Sequence, residues 1–350
     1  MADRADPYSN MRGARRVRPL LATMINPKDW ALPEKLRPRP QDTRFDLAAV
    51  QRAVLMLRAE VPEDAFTAGV LGTERVGHGV VIEAEGRDVV LTIGYLITEA
   101  GSVWLTTYDG RAIEGHPLAY DTVTGFGLVL PLAPLGCPPL PRGSASGVAI
   151  GDRVYVIGHG GLEHSLVARL IARREFAGYW EYLLDDALFT APPHPLWGGT
   201  ALVDERGRLV GLGSLLTQEA GGGEEHFDAN LFVPIDLAEP VLGEMLRLGH
   251  AAAPPRPWLG LYAAEQDDHI IIAGLSPDAP AHRAGLQPGD VVVAVAGQRV
   301  SSLPGFFRAV WSAGPAGSTI VLQIVRGRDA LHIAVCSANR EDFLRKPRAH

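Results

Sequence analysis

From Val76 onward the chain alternates short apolar runs with turn residues. Residues 80–82, 89–92, 103–107, 127–130, 153–157, 201–203 and 208–212 each read as a strand, rich in side chains that suit a pleated surface. Between them, Glu85-Gly86, Asp109-Gly110, Gly151-Asp152 and Arg206-Gly207 are turn signals. Many short strands at this spacing predict an antiparallel sandwich or barrel. Two stretches carry helical periodicity instead. Residues 46–58 place Leu47, Val50, Val54, Leu55 and Leu57 on an apolar face, with Asp46 as the cap. Residues 236–248 do the same with Leu237, Val241, Leu242 and Met245.

A run of three alanines, two prolines, Arg256 and Pro257 after His250 reads as a linker. The block beyond it predicts strands near 270–272, 291–295 and 320–325 and a helix over 303–312. Its pattern differs from that of the first block, and no internal repeat relates the two. The expected organisation is a proline-rich basic arm over 1–45, a first domain over 46–248, a linker over 249–256, a second domain over 257–338 and a tail over 339–350.

Composition narrows the class. The 350 residues include 39 Gly and 27 Pro, well above the roughly 12% average for the two together. Both residues break helices, so a helical bundle is excluded. A hydrophobic content of 47% excludes wholesale disorder. The net charge of -7 is unevenly spread: residues 1–44 hold ten Lys/Arg against five Asp/Glu, and residues 340–350 four against two. An acidic body with basic ends is a poor nucleic-acid binder, and the ends read as solvated tails. Cys137 and Cys336 are too few and too far apart for a disulfide framework or a zinc site and read as apolar fillers. That count fits a reducing compartment and equally a disulfide-free envelope protein.

No apolar run approaches the length of a membrane span, and the start of the chain has no small-residue cleavage site, so the expected location is the cytoplasm. The loop His159–His164 holds two histidines and an acid, but its glycines forbid a helical ligand pair, so it reads as a polar loop. No metal and no cofactor is expected, and no phosphate-cradling Gly-Lys-Ser/Thr motif is present.

The second block carries a specific motif. Pro280-Ala281-His282-Arg283-Ala284-Gly285-Leu286-Gln287-Pro288-Gly289-Asp290-Val291-Val292 resembles the S-P-A-x-x-A-G-L-x-x-G-D-x-I segment of PDZ domains, and Val295 to Val300 resembles the hairpin that follows. The resemblance places Trp258, Leu259, Gly260 and Leu261 at the loop that binds a peptide's terminal carboxylate. Leu303, Phe306, Phe307 and Val310 then lie on the helix beside the groove, where helical spacing fits groove wall and core alike. A glycine-containing turn can aim successive N–H groups at a carboxylate, while an extended peptide adds to the sheet edge. The implied partners are protein or peptide C-termini.

The first block resembles the chymotrypsin-like domain of HtrA (high-temperature-requirement) proteases. Gly77-His78-Gly79-Val80-Val81-Ile82 is similar to G-S-G-F-I-I, Val154 to Gly158 to V-x-A-I-G, Gly198-Gly199-Thr200-Ala201-Leu202-Val203-Asp204 to G-G-P-A-L-V-N, and Asn230 to Ile235 to G-F-A-I-P-I. The implied fold is mainly β: a double β-barrel followed by a mixed α/β PDZ domain. The family's chemistry needs a serine nucleophile, a histidine base and an orienting aspartate. Here the matching positions hold Trp197, Tyr95 and Gly125. The position of one oxyanion donor holds Pro195, which has no N–H. Asp121 matches an acid of the motif other than the catalytic one. Residues 187–197, with Phe189, three prolines and Trp197, read as an apolar plug over the site.

The expectation is an HtrA-like protein without protease activity that binds peptides and acts as an adaptor, scaffold or chaperone-like partner in protein quality control. Two alternatives stand beside it: an endopeptidase with a relocated site, and a structural subunit with a closed PDZ groove. The resemblance also implies a homo-trimer built through the N-terminal segment and the bacterial periplasm as the alternative compartment.

Overall fold

Pattern and structure part first at residues 46–60. Asp46 does cap a helix, α1 (Leu47–Arg52), accepting from Ala49 N at 3.0 Å. The helix stops there, and Val54–Glu60 form strand β1. Val54, Leu55 and Leu57 are fully buried, but as strand residues. The run Ala53 to Leu57 is apolar without interruption, and in so short a run periodicity does not separate helix from strand. Pairing decides it: β1 lies antiparallel between β2 (Glu74–Ala84) and β4 (Ser102–Thr106).

The computed structural model describes residues 30–220 and 226–346. The expectation of an extended arm falls mostly on residues outside these. Within the described part of the arm are two short 3-10 turns, Glu34–Leu36 and Pro40–Asp42.

A short helix α2 (Ala68–Leu71) links β1 to β2. With β3 (Arg87–Ile93), β5 (Ala112–Tyr120) and β6 (Phe126–Pro131), the first sheet closes in the order β1-β2-β3-β6-β5-β4. A second barrel closes as β10-β11-β12-β9-β8-β7. Its strands are β7 (Arg153–Ile157), β8 (Ser165–Gly178), β9 (Tyr182–Ala191), β10 (Ala201–Val203), β11 (Leu209–Ala220) and β12 (His226–Pro234). Val154, Val156, Leu166, Leu188, Leu202 and Phe232 fill its core. The predicted closing helix is a 3-10 turn, Ile235–Leu237, followed by α3 (Glu239–Leu248).

The last sheet runs β13-β14-β15-β17-β18, with β16 (Gln298–Arg299) hairpinned onto β15. Its strands are β13 (Leu261–Gln266), β14 (His269–Leu275), β15 (Val291–Val295), β17 (Thr319–Arg326) and β18 (Asp329–Cys336). Helices α4 (Pro280–Arg283) and α5 (Leu303–Ser312) complete it. Ser302 caps α5 by accepting from Gly305 N at 3.2 Å. The fold is mainly β, two barrels and a mixed α/β domain. Residues 175–185, the tip of the β8–β9 hairpin, group with 253–343 in one compact unit; the two barrels form the other.

Leu57 tests the strand assignment of β1. Its side chain is fully buried, so Leu57→Ala is expected to destabilise the chain by about 2–5 kcal/mol in urea denaturation. Arg58→Ala, next to it on the exposed face, is expected to change stability by less than ~1 kcal/mol.

Candidate functional site

Strand β3 runs into a 3-10 turn, Gly94–Leu96, that presents Tyr95. The turn is held from two sides. Gly94 N donates to Gly125 O at 2.8 Å, and a side chain at Gly94 would collide with the Tyr120 ring. Behind it, the buried Arg75 guanidinium donates to Tyr95 O at 2.8 Å, Thr98 O at 2.9 Å and Thr67 Oγ1 at 2.8 Å. Burial draws Arg75 down to about 10, against the pull of the Glu99 carboxylate.

Gly125 closes the neighbouring turn. Its φ is +86°, and its N–H donates to Asp121 O at 2.8 Å. The Asp121 carboxylate accepts from Val123 N at 3.2 Å, Thr124 N at 3.0 Å and Thr124 Oγ1 at 2.6 Å. Its hydrogen bonds are committed within its own turn. What this turn offers Gly94 is a backbone carbonyl.

Trp197 comes from the other barrel, on the turn between β9 and β10, and is 8% exposed. Its carbonyl accepts from Thr200 N at 3.0 Å and Thr200 Oγ1 at 2.8 Å. The Tyr95 hydroxyl lies against this turn, where a Cβ on Gly198 would stand 2.9 Å from it. That hydroxyl donates to Ser214 O at 2.9 Å. Burial pushes the Tyr95 phenol up from its ordinary value. The structure therefore gathers Tyr95, Trp197 and, through Gly94, Gly125 in one place. A neutral phenol, an indole and a backbone carbonyl offer neither a general base nor a nucleophile at pH 7. Pro195, two residues before Trp197, offers no N–H. Of the expected plug, Ala187, Leu188 and Phe189 lie inside β9, while Leu196 and Trp197 are buried on the turn.

A layer of buried histidines lies beside this turn. His194 N donates to Asn230 Oδ1 at 2.6 Å. Its Nε2 is 3.1 Å from His164 O, and its Nδ1 accepts from Leu196 N at 3.2 Å. His78 Nδ1 is 3.2 Å from Gly198 O, and its ring lies 6.1 Å from that of His194. Burial draws His194 down to about 4, and burial with the neighbouring histidines draws His78 well below its usual value. These rings are neutral struts. His164 ends a 3-10 turn and points inward, so the loop read as polar is half buried.

In the last domain, Trp258 pairs its backbone with Ala338 and packs its ring on Phe343. Leu259, Leu261, Leu303, Phe306, Phe307 and Val310 all lie in one hydrophobic cluster. Gly260 has φ +74°, and a Cβ there would sit 2.2 Å from that of Ala279. The N–H groups of Leu259, Gly260 and Leu261 converge on the Glu181 carboxylate, at 3.1, 2.7 and 3.2 Å. One residue pair further along, Ala263 N donates to Tyr179 O at 2.9 Å. Burial pushes Glu181 up to about 7, against those three N–H groups and the Arg340 charge.

Residues 77–212 match the family model of the trypsin-like peptidase domain, and residues 257–336 match that of the PDZ domain. The putative serine protease HhoA of Synechocystis is 26% identical over 289 residues, which cover 75% of this chain and 70% of that protein. The serine endoprotease DegS of Haemophilus influenzae is 26% identical, with 76% and 77% covered. A probable periplasmic serine endoprotease, DegP-like, of Halomonas elongata is 26% identical, and the match spans 56% of its length. The solved structure of HtrA-type protease AlgW with decapeptide shares the fold, with a TM-score of 0.50 at 22% identity over 86% of this chain and 98% of that one. A trypsin-like peptidase domain followed by a PDZ domain, with these relatives, supports an HtrA-type protease architecture.

In this HtrA-type chain, sequence reasoning missed Glu181 and the histidine layer. Glu181 sits in Trp180-Glu181-Tyr182 at a hairpin tip with φ +61°. Glycine is the usual residue for that conformation, so the turn left no composition signal. Aromatic residues on both sides of a lone acid were the one available hint.

His194 sets an acid dependence. Its folded-state pKa lies below the usual 6.5, so the unfolded chain takes up a proton first as pH falls. The stability it contributes is full above about 6.5 and is lost between there and about 4, at roughly 1.4 kcal/mol per pH unit. Glu181, raised to about 7, acts in the opposite direction. The measurement is therefore a difference: urea denaturation at pH 7 and pH 5 is expected to show a smaller acid loss in His194→Gln than in the parent chain.

Proposed function

We propose that this HtrA-type chain lacks proteolytic activity and serves as a peptide-binding adaptor, scaffold or chaperone-like partner in protein quality control, holding protein C-termini in its PDZ domain. The observation that carries the reading is that the Tyr95 hydroxyl donates to Ser214 O and lies against the turn of the buried Trp197. By resemblance Trp197 and Tyr95 stand where the family keeps its nucleophile and its base. A phenol committed to a backbone carbonyl and a buried indole leave no group to activate. Pro195 in place of a backbone donor supports the same reading, since removal of one oxyanion-hole donor lowers kcat by about 10²–10³.

Relatives named as serine endoproteases favour a second reading, an endopeptidase with a relocated site. A fluorophosphonate probe separates the two. No stoichiometric serine labelling and no casein turnover are expected from the purified chain. Trp197→Ser is expected to restore neither, because Tyr95 and Pro195 remain. Stoichiometric labelling of one serine in the parent chain would overturn the proposal.

On the family resemblance we also propose self-association as a trimer. Light scattering of the full chain is expected to give three times the 37.5 kDa mass of one chain; a monomer would refute it. Relatives named as periplasmic support the cell envelope as the compartment.

A further inference from the structure

We propose that the β8–β9 hairpin tip is an internal ligand of the PDZ groove, and that an external C-terminus binds by displacing the Glu181 carboxylate. The inference rests on the peptide-binding reading above and adds its regulation. Three successive backbone N–H groups, Leu259 to Leu261, meet the Glu181 carboxylate. The same segment bonds the margin of the sheet: Tyr179 O accepts from Ala263 N on β13, and Ala177 packs against the hydrophobic cluster of the domain. Carboxylate capture with strand addition is how a terminal peptide would be held. Here Glu181 supplies the carboxylate and Tyr179 the backbone.

The occupant is built to be displaceable. Glu181 holds φ +61°, a conformation that a residue with a side chain seldom adopts. Its carboxylate is buried, and burial pushes it up to about 7, so its ionised form is poorly solvated where it sits. The clamp at the base of the tip is exposed: Arg308 on α5 pairs with Glu175 and Asp185, and exposed pairs hold weakly. The N–H groups themselves are a strong trap for a carboxylate. A peptide that ends in a flexible, fully ionised terminus satisfies them without the left-handed turn.

The test uses the full chain, its Glu181→Gln and Glu181→Gly variants, and fluorescein-labelled decapeptides ending in Val, Leu or Phe, each with a free or an amidated terminus. Anisotropy titration is expected to show free-carboxylate peptides binding both variants at least tenfold more tightly than the parent, and amidated ones binding none. Glu181→Gly removes the carboxylate and relieves the left-handed strain, which keeps one variant folded if Glu181→Gln is damaged. Amide exchange without peptide is expected to quicken at 259–263 in both variants. Equal affinity in parent and variants, with unchanged exchange, would overturn the displacement proposal and leave peptide binding intact. Quickened exchange with no peptide bound by any form would instead overturn the peptide-binding reading, and the displacement proposal with it.

Discussion

The two barrels meet where backbone lies directly on backbone. His78 N donates to Gly198 O at 2.8 Å, and Gly199 N donates to Gly213 O at 2.7 Å. A Cβ on Gly77 would stand 2.8 Å from Gly198 O, one on Gly199 1.9 Å from His78 O, and one on Gly213 2.2 Å from Trp197 O. Neither Gly77 nor Gly199 can carry a side chain without parting the barrels, and within the second barrel Gly213 cannot carry one without displacing the Trp197 turn. The turn holding Trp197 is thus fixed from both sides before any side chain is considered.

On the proposed function, the same seam explains how the framework persists with other side chains at the positions that resemble the catalytic ones. The glycines that resemble the family's pattern do mechanical work, since they let strands approach. The catalytic positions bear on this approach much less. At the cleft between the barrels Tyr95 donates to a carbonyl and Trp197 is buried, and the histidines beside them are tied to carbonyls. On the proposed function, the role passes to the last domain, where three backbone donors meet a carboxylate.

Much of the fold was legible because runs of β-branched residues are both strand-forming and buried; β7, β10 and α5 fall where the pattern placed them. Strand β8 was not, because Arg169, Arg173, Arg174 and Glu175 interrupt it. In the folded chain Arg173 pairs with Asp186, and Arg174 lies over the Phe189 ring while pairing with Glu219. Charges satisfied across a barrel look like loop residues in one dimension. Residues 54–60 failed for the opposite reason, since an apolar run suits either element and only the partners β2 and β4 settle it. The carboxylate-binding loop was readable because its residues are contiguous. Its occupant was not, since Glu181 lies 78 residues before Leu259 and nothing local marks the encounter.

The two barrels are closed rings, so their strands have neighbours on both sides. The last sheet is open, and β13 forms one of its margins. An uncovered margin is a row of free backbone groups that any other chain can pair with, which is how soluble proteins begin to aggregate. Tyr179, by bonding to Ala263, covers part of that row. Under the displacement proposal the hairpin also guards solubility: it keeps part of a sticky edge capped until a peptide takes its place, and it caps the edge again when the peptide leaves.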